Sequence, residues 1–169
     1  MFERFGKEAR GIVTTAVAEA EARGDSRVGT EHLLIAVAGV SFPFQRSLLG
    51  PLDVGSEEIR RQLDRLDSES LAAVGVDLEL FDPALRALDG AVPRHARRHL
   101  PFTHGAKAVL TDTLRETIKQ GGRQIGTEHV LLALLSLPAA DPLGRVFANM
   151  GADPQEIRTD IEEALRRAS

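Results

Sequence analysis

Cysteine, tryptophan and tyrosine are absent from this chain of 169 residues, and phenylalanine, at seven copies, is its only aromatic side chain. Without cysteine there is no disulfide frame, no thiolate metal site and no thiol nucleophile. Long apolar runs are missing too. The longest, Leu33 to Val40, falls far short of the roughly 20 residues that span a bilayer. The opening Met-Phe-Glu-Arg-Phe lacks the long apolar core of a secretory signal, so a cytoplasmic location and no membrane partner are expected. A formal charge of −4 and the scarcity of aromatics argue against a nucleic-acid partner, since such proteins usually carry a basic field with rings for stacking. Three reaction signatures are also missing: a Gly-x-x-x-x-Gly-Lys-Ser/Thr phosphate loop, a Gly-x-Ser-x-Gly elbow and a His-Glu-x-x-His zinc helix. No enzyme and no cofactor are expected.

What is present is a repeat. The tetrapeptide Gly-Thr-Glu-His occurs at Gly29 to His32 and again at Gly126 to His129, an offset of 97 residues. Laying residues 4–38 on 101–135 without a gap gives 11 identities in 35 positions, among them Phe5 with Phe102, Glu19 with Glu116 and Gly24 with Gly121. Fold and function are therefore to be read from paired halves. Repeat one covers residues 1–66 with a helical linker over 67–100, repeat two covers 101–169, and the whole chain, 43% apolar, forms one domain.

Each half opens on a helical face, Phe5, Ala9, Ile12, Val13, Ala16 and Ala20 in the first and Phe102, Ala106, Val109, Leu110 and Leu114 in the second. Gly24 and Gly121 suit left-handed caps at the ends of these helices. Thr30 and Thr127 are expected as N-caps of the next ones, with Glu31 and Glu128 in the first turn facing the positive helix end. Asp141-Pro142 starts a short helix ending near Gly151, and Asp153-Pro154 starts the last, with Ile157, Ile161 and Leu165 as its buried stripe. Its counterpart runs from Ser56 to Leu66, where Glu58-Ile59-Arg60 echoes Glu156-Ile157-Arg158. In the linker, Asp67 to Val74 reads as a separate capped helix closed by Gly75, and Asp82 to Asp89 as another closed by Gly90. No segment alternates with period two, so the fold is all-α. Arg94 to His99 is a basic run, read as a solvated linker; His95 and His99 lack a third metal ligand.

The doubled layout, Met-Phe-Glu-Arg-Phe, both Gly-Thr-Glu-His-(Leu/Val)-Leu signals and His99-Leu100-Pro101-Phe102-Thr103 together resemble the amino-terminal repeat domain of Clp unfoldases, of the actinobacterial ClpC type. The resemblance implies a helical pseudo-dimer that receives substrates and adaptors for an unfoldase feeding a peptidase. Without a phosphate loop within these residues, it implies a non-enzymatic binding module whose partners are a ClpC-type unfoldase, its adaptors or its substrates. It also implies two ligand sites. Glu31 and Glu128 match the glutamates that meet an arginine-phosphate guanidinium, and a carboxylate suits that fork. The phosphate half departs from the family pattern Phe-Thr-x-Arg/Lys-Ala, since Phe5-Gly6-Lys7-Glu8-Ala9 and Phe102-Thr103-His104-Gly105-Ala106 carry Glu8 and Gly105 at the cation position. Thr103 and Lys107 remain as residual phosphate contacts. Phe2, Val13, His99 and Phe102 match an apolar face that takes cyclic-peptide antibiotics, which implies an alternative role as a decoy for such small molecules.

Overall fold

The computed structural model describes residues 4–40, 55–73, 100–138 and 141–168. Seven helices account for most of them: α1 Lys7–Arg23, α2 Thr30–Ala38, α3 Ser56–Ala73, α4 His104–Lys119, α5 Thr127–Leu135, α6 Pro142–Asn149 and α7 Pro154–Ala168. The fold is all-α; extended pairing among the described residues is limited to two isolated parallel bridges. The starts of α1 and α4, and both ends of α2 and α5, lie 97 residues apart, and the starts of α3 and α7 lie 98 apart.

Position in the fold follows from sequence pattern. α2 and α5 are apolar on every side, and Leu33 to Ala38 and Val130 to Leu135 are all buried. A helix hydrophobic all round belongs at the centre, and these two pack on each other. α1 flanks α2 and α4 flanks α5, while the amphipathic α3 and α7 cover them with single stripes. The stripes correspond: Ile59 and Leu63 on α3, Ile157 and Ile161 on α7, with Leu66 extending the first and the half-buried Leu165 the second.

The two halves are threaded through each other. The Gly6 N–H donates to the Ile125 carbonyl at 2.9 Å and the Ile125 N–H to the Arg4 carbonyl at 2.9 Å. Reciprocally, Thr103 N–H donates to Val28 O at 2.9 Å and Val28 N–H to Pro101 O at 3.0 Å. The segment leading into each first helix is thus hydrogen-bonded to the loop before the central helix of the other half.

Helix ends obey the expected chemistry with two exceptions. Gly24 and Gly121 take φ of 77° and 73°, a region costly for a side chain with a Cβ. Asp25 N–H then reaches Ala20 O and Gly122 N–H reaches Thr117 O, both at 2.9 Å, closing the two helices alike. Asp141 caps α6 through Leu143 N–H, and the Asp153 carboxylate accepts from Gln155 N–H. The first exception is α3, which continues through Asp67 to Ala73 rather than breaking into a second helix. Ser68 and Ser70 bond back to the carbonyls of Asp64 and Leu66 four residues earlier, and Asp67 bonds Arg23 of α1, so neither serine nor aspartate caps a new start. The helix assigned to 82–89 and the basic run 94–99 lie outside the described residues. The second exception concerns the threonines of the repeated motif.

Candidate functional site

Thr30 and Thr127 are not N-caps. Each is the first helical residue, and the cap is the glycine before it, Gly29 or Gly126, in extended conformation. The histidine completes the motif: Gly29 N–H donates to His32 Nδ1 at 2.9 Å, while His129 Nδ1 lies 3.1 Å from Gly126 N and 2.9 Å from Glu128 Oε1. At Gly29 imidazole thus does for the cap amide what glutamate does in an ordinary capping box. The cap backbone is extended and open to any residue, but a side chain there would displace the carboxylate. A Cβ on Gly29 would stand 2.0 Å from Glu31 Oε1, and one on Gly126 2.1 Å from Glu128 Oε1. Both carboxylates therefore fold back over their own cap, at the helix end that attracts anions. The glycine, glutamate and histidine of the tetrapeptide are accounted for by one turn.

The threonines have unequal surroundings. Thr30 Oγ1 lies 3.3 Å from Asp141 Oδ1, across 111 residues, and 3.4 Å from Glu31 Oε2. Thr127 Oγ1 is buried without a hydrogen-bond partner. An unpartnered buried hydroxyl costs about 1–3 kcal/mol. Thr127→Val is therefore expected to be neutral or to stabilise by about 1 kcal/mol, whereas Thr30→Val loses about 0.5–1.5 kcal/mol. Urea unfolding of the two variants checks this, and equal losses would refute it.

Second elements complete each motif, and they come from the other half. A Cβ at Gly105 would be 3.3 Å from Thr30 Cγ2, so the amino end of α4 abuts that of α2. The Gly6–Ile125 bond holds the amino end of α1 beside Gly126. The amino end of α2 thus lies beside that of α4, and the loop before α5 beside the amino end of α1. At the α2–α4 junction, α4 has no acidic residue in its first turn, and Thr103 Oγ1 caps it through Ala106 N–H at 3.1 Å. At the α5–α1 junction both first turns carry a glutamate.

Electrostatics differ in the same direction. Burial pushes the Glu128 carboxyl up, but the hydrogen bond with His129 and its own backbone N–H outweigh it and hold the group below its usual 4.5. The matching distances differ: Glu31 Oε1 is 3.3 Å from His32 Nδ1, against 2.9 Å for Glu128 and His129. His32 instead meets Asp25 Oδ2 through Nε2 at 2.9 Å. Sequence reasoning missed Asp25 and Asp141, because neither belongs to the motif and only folding brings them to it.

Of the apolar site residues, Val13 and Phe102 are half-buried and pack against the core. Phe2 and His99 lie outside the described residues. Lys107 is exposed. Among the described residues no cluster of three or more His, Asp or Glu could hold a metal ion, and no helix is long and apolar enough to cross a membrane.

The model of the Clp repeat (R) N-terminal domain matches residues 62–143 and 101–169. The chain belongs to this Clp repeat domain family. As a Clp repeat domain it is 30% identical over 161 residues to the chloroplastic ClpA homolog, an ATP-binding subunit of the ATP-dependent Clp protease, of Brassica napus, covering 95% of this chain and 16% of that protein. It is likewise 30% identical over 161 residues to the chloroplastic chaperone protein ClpC1 of Arabidopsis thaliana, covering 95% of this chain and 15% of that one. The chain thus spans about a sixth of the length of these relatives. Among solved structures, the N-terminal domain of ClpD from Arabidopsis thaliana superposes with a TM-score of 0.71 at 18% identity, covering 98% of this chain and 97% of that one. The Hsp104 N-terminal domain from Candida albicans gives 0.57 at 18% identity, covering 96% and 91%. At such identities the structures speak for the fold alone, and the fold is that of a Clp repeat domain.

Proposed function

We propose that this Clp repeat domain is a non-enzymatic module that binds peptides or adaptor proteins and so modulates Clp-dependent proteolysis. Its family membership supports this reading, together with two carboxylates presented at helix amino termini and no reaction signature in the sequence. The partners are a ClpC-type unfoldase, its adaptors or its substrates. Affinity capture from the native lysate, with cross-linking and mass spectrometry, tests it. Enrichment of an unfoldase, adaptor or degradation substrate is expected; recovery of none of these would end the proposal.

For ligand chemistry, the α2–α4 junction is favoured. Glu31 offers a guanidinium its fork partner, while the first turn of α4, free of acidic residues, and Lys107 suit a phosphate. Each junction also holds an acid that opposes a phosphate, Asp141 beside Thr30 at this one and Glu8 at the other, so the preference rests on the α4 turn and Lys107. Titration with free arginine phosphate is expected to show one weak site lost in Glu31→Gln and retained in Glu128→Gln. Equal sensitivity to both substitutions would contradict the assignment. If the apolar residues Val13 and Phe102 serve instead as a drug-binding face, a cyclic peptide of the family's antibiotic class binds in calorimetry and both glutamine variants leave that binding unchanged.

A further inference from the structure

The two histidines of the repeated motif occupy matching places and make mismatched bonds. His32 Nδ1 lies 2.9 Å from Gly29 N and 3.3 Å from Glu31 Oε1. For His129 the order inverts: 3.1 Å from Gly126 N and 2.9 Å from Glu128 Oε1. A single ring nitrogen cannot serve both neighbours. Bearing a lone pair it accepts from the glycine amide; bearing a proton it donates to the carboxylate.

We propose that Asp25 is a positioning residue that keeps the His32 proton on Nε2 and leaves Glu31 unbound by its histidine, whereas His129 places its proton on Nδ1 and ties Glu128 down. Three observations carry this. Asp25 Oδ2 stands 2.9 Å from His32 Nε2, and a carboxylate can only accept there, so the ring nitrogen must donate. The Nδ1 lone pair is then committed to Gly29 N–H, which is buried and has no recourse to water. In the second half the residue in the place of Asp25 is Gly122, which has no side-chain carboxylate to offer His129 Nε2, although an added Cβ there would sit 3.5 Å from it. Gly126 is only half-buried, so solvent can serve its amide. Freed on both counts, the ring gives its proton to Glu128, and a hydrogen bond to an ionised acceptor is about twice as strong as a neutral one. The depressed Glu128 carboxyl agrees with that bond.

The consequence is a division between the two motifs. Glu31 is the carboxylate available to a ligand, and Glu128 is an internal cap. That consequence rests on the ligand reading above, but the proton placement does not, and the two can fail separately.

The test is long-range proton–nitrogen correlation of the imidazole rings at pH about 8, where imidazole is ordinarily neutral. In the native protein the downfield, unprotonated nitrogen should be Nδ1 in His32 and Nε2 in His129. Asp25→Ala should move the His32 proton to Nδ1, and Asp25→Asn, whose amide oxygen still accepts from Nε2–H, should leave it in place. The converse variant is Thr117→Ala with Gly122→Asp, which recreates the Ala20 and Asp25 pair and relieves the 3.2 Å approach of a Gly122 Cβ to Thr117 Cγ2. It should switch His129 to the Nε2–H form. The same tautomer in both native rings, or a His32 proton unmoved in Asp25→Ala, overturns the proposal. If the tautomers are as stated but arginine phosphate does not bind, the ligand reading falls and the proton placement stands.

Discussion

Phe5→Ala is expected to remove about 3–5 kcal/mol of stability, the cost of a large cavity where an aromatic ring was fully enclosed. Phe5 is 2% exposed and sits in the segment hydrogen-bonded across to Ile125. Its counterpart Phe102 is half-buried in the reciprocal bridge to Val28. Phe102→Ala therefore uncovers less apolar surface and should cost about 1.5–3 kcal/mol. For a domain whose whole stability is about 5–15 kcal/mol, the first change approaches unfolding while the second does not. Chemical denaturation of both variants, fitted with a common slope, makes the comparison. Equal losses, or a larger loss at Phe102, would mean that the crossing segments are not packed as described.

The second large effect is expected at Arg158. Its guanidinium bonds Glu116 Oε1, donates to the Leu132 carbonyl at 3.0 Å and to Ser136 Oγ, and lies 3.2 Å from Glu162 Oε1. Arg158 and Glu116 are 16% and 14% exposed, and the second Glu116 oxygen is already buried without a hydrogen bond. Arg158→Ala leaves the Glu116 carboxylate only Lys119 Nζ at 4.0 Å, while Ser136 Oγ still serves the Leu132 carbonyl, and should cost about 3 kcal/mol, the lower end of the range for breaking a buried pair. The first half repeats the arrangement with Arg60 and Glu19, where Nε and Nη2 grip both carboxylate oxygens at 2.7 and 2.8 Å. That hydrogen bonding lowers the Glu19 carboxyl below its usual range, outweighing burial. Arg60 is 29% exposed, so water screens the loss and Arg60→Ala should cost less. A double-mutant cycle on Arg158 and Glu116 measures the coupling directly; a coupling near zero would show that the contact contributes only packing.

Much of the fold was legible because it depends on short-range periodicity. Ile59 and Leu63, like Ile157 and Ile161, mark a buried stripe by spacing alone. Gly24 and Gly121 mark left-handed ends because only glycine takes that conformation without penalty. The apolar runs after both Gly-Thr-Glu-His motifs could belong only to central helices. The misplacements were also local. Thr before an apolar run is a common cap, but glycine can cap as well when a histidine three residues on serves its amide. A run of Asp and Ser looks like a helix start, yet in α3 the serines turn back on their own helix.

The candidate site divides differently. The sequence by itself determined which residues recur: Glu31 and Glu128 stand at a constant offset, and that needs no coordinates. It also puts Glu8 and Gly105 where the family resemblance implies cations. Only the tertiary structure decided which helix ends meet. Because the leading segment of each half bonds to the other half, the amino end of α2 stands with that of α4 and the loop before α5 with that of α1. Asp25 and Asp141 enter for the same reason. Hydrogen bonds reach about 3 Å, so partners are set by where helices cross, and a crossing between residues 111 apart leaves no periodic trace in the chain.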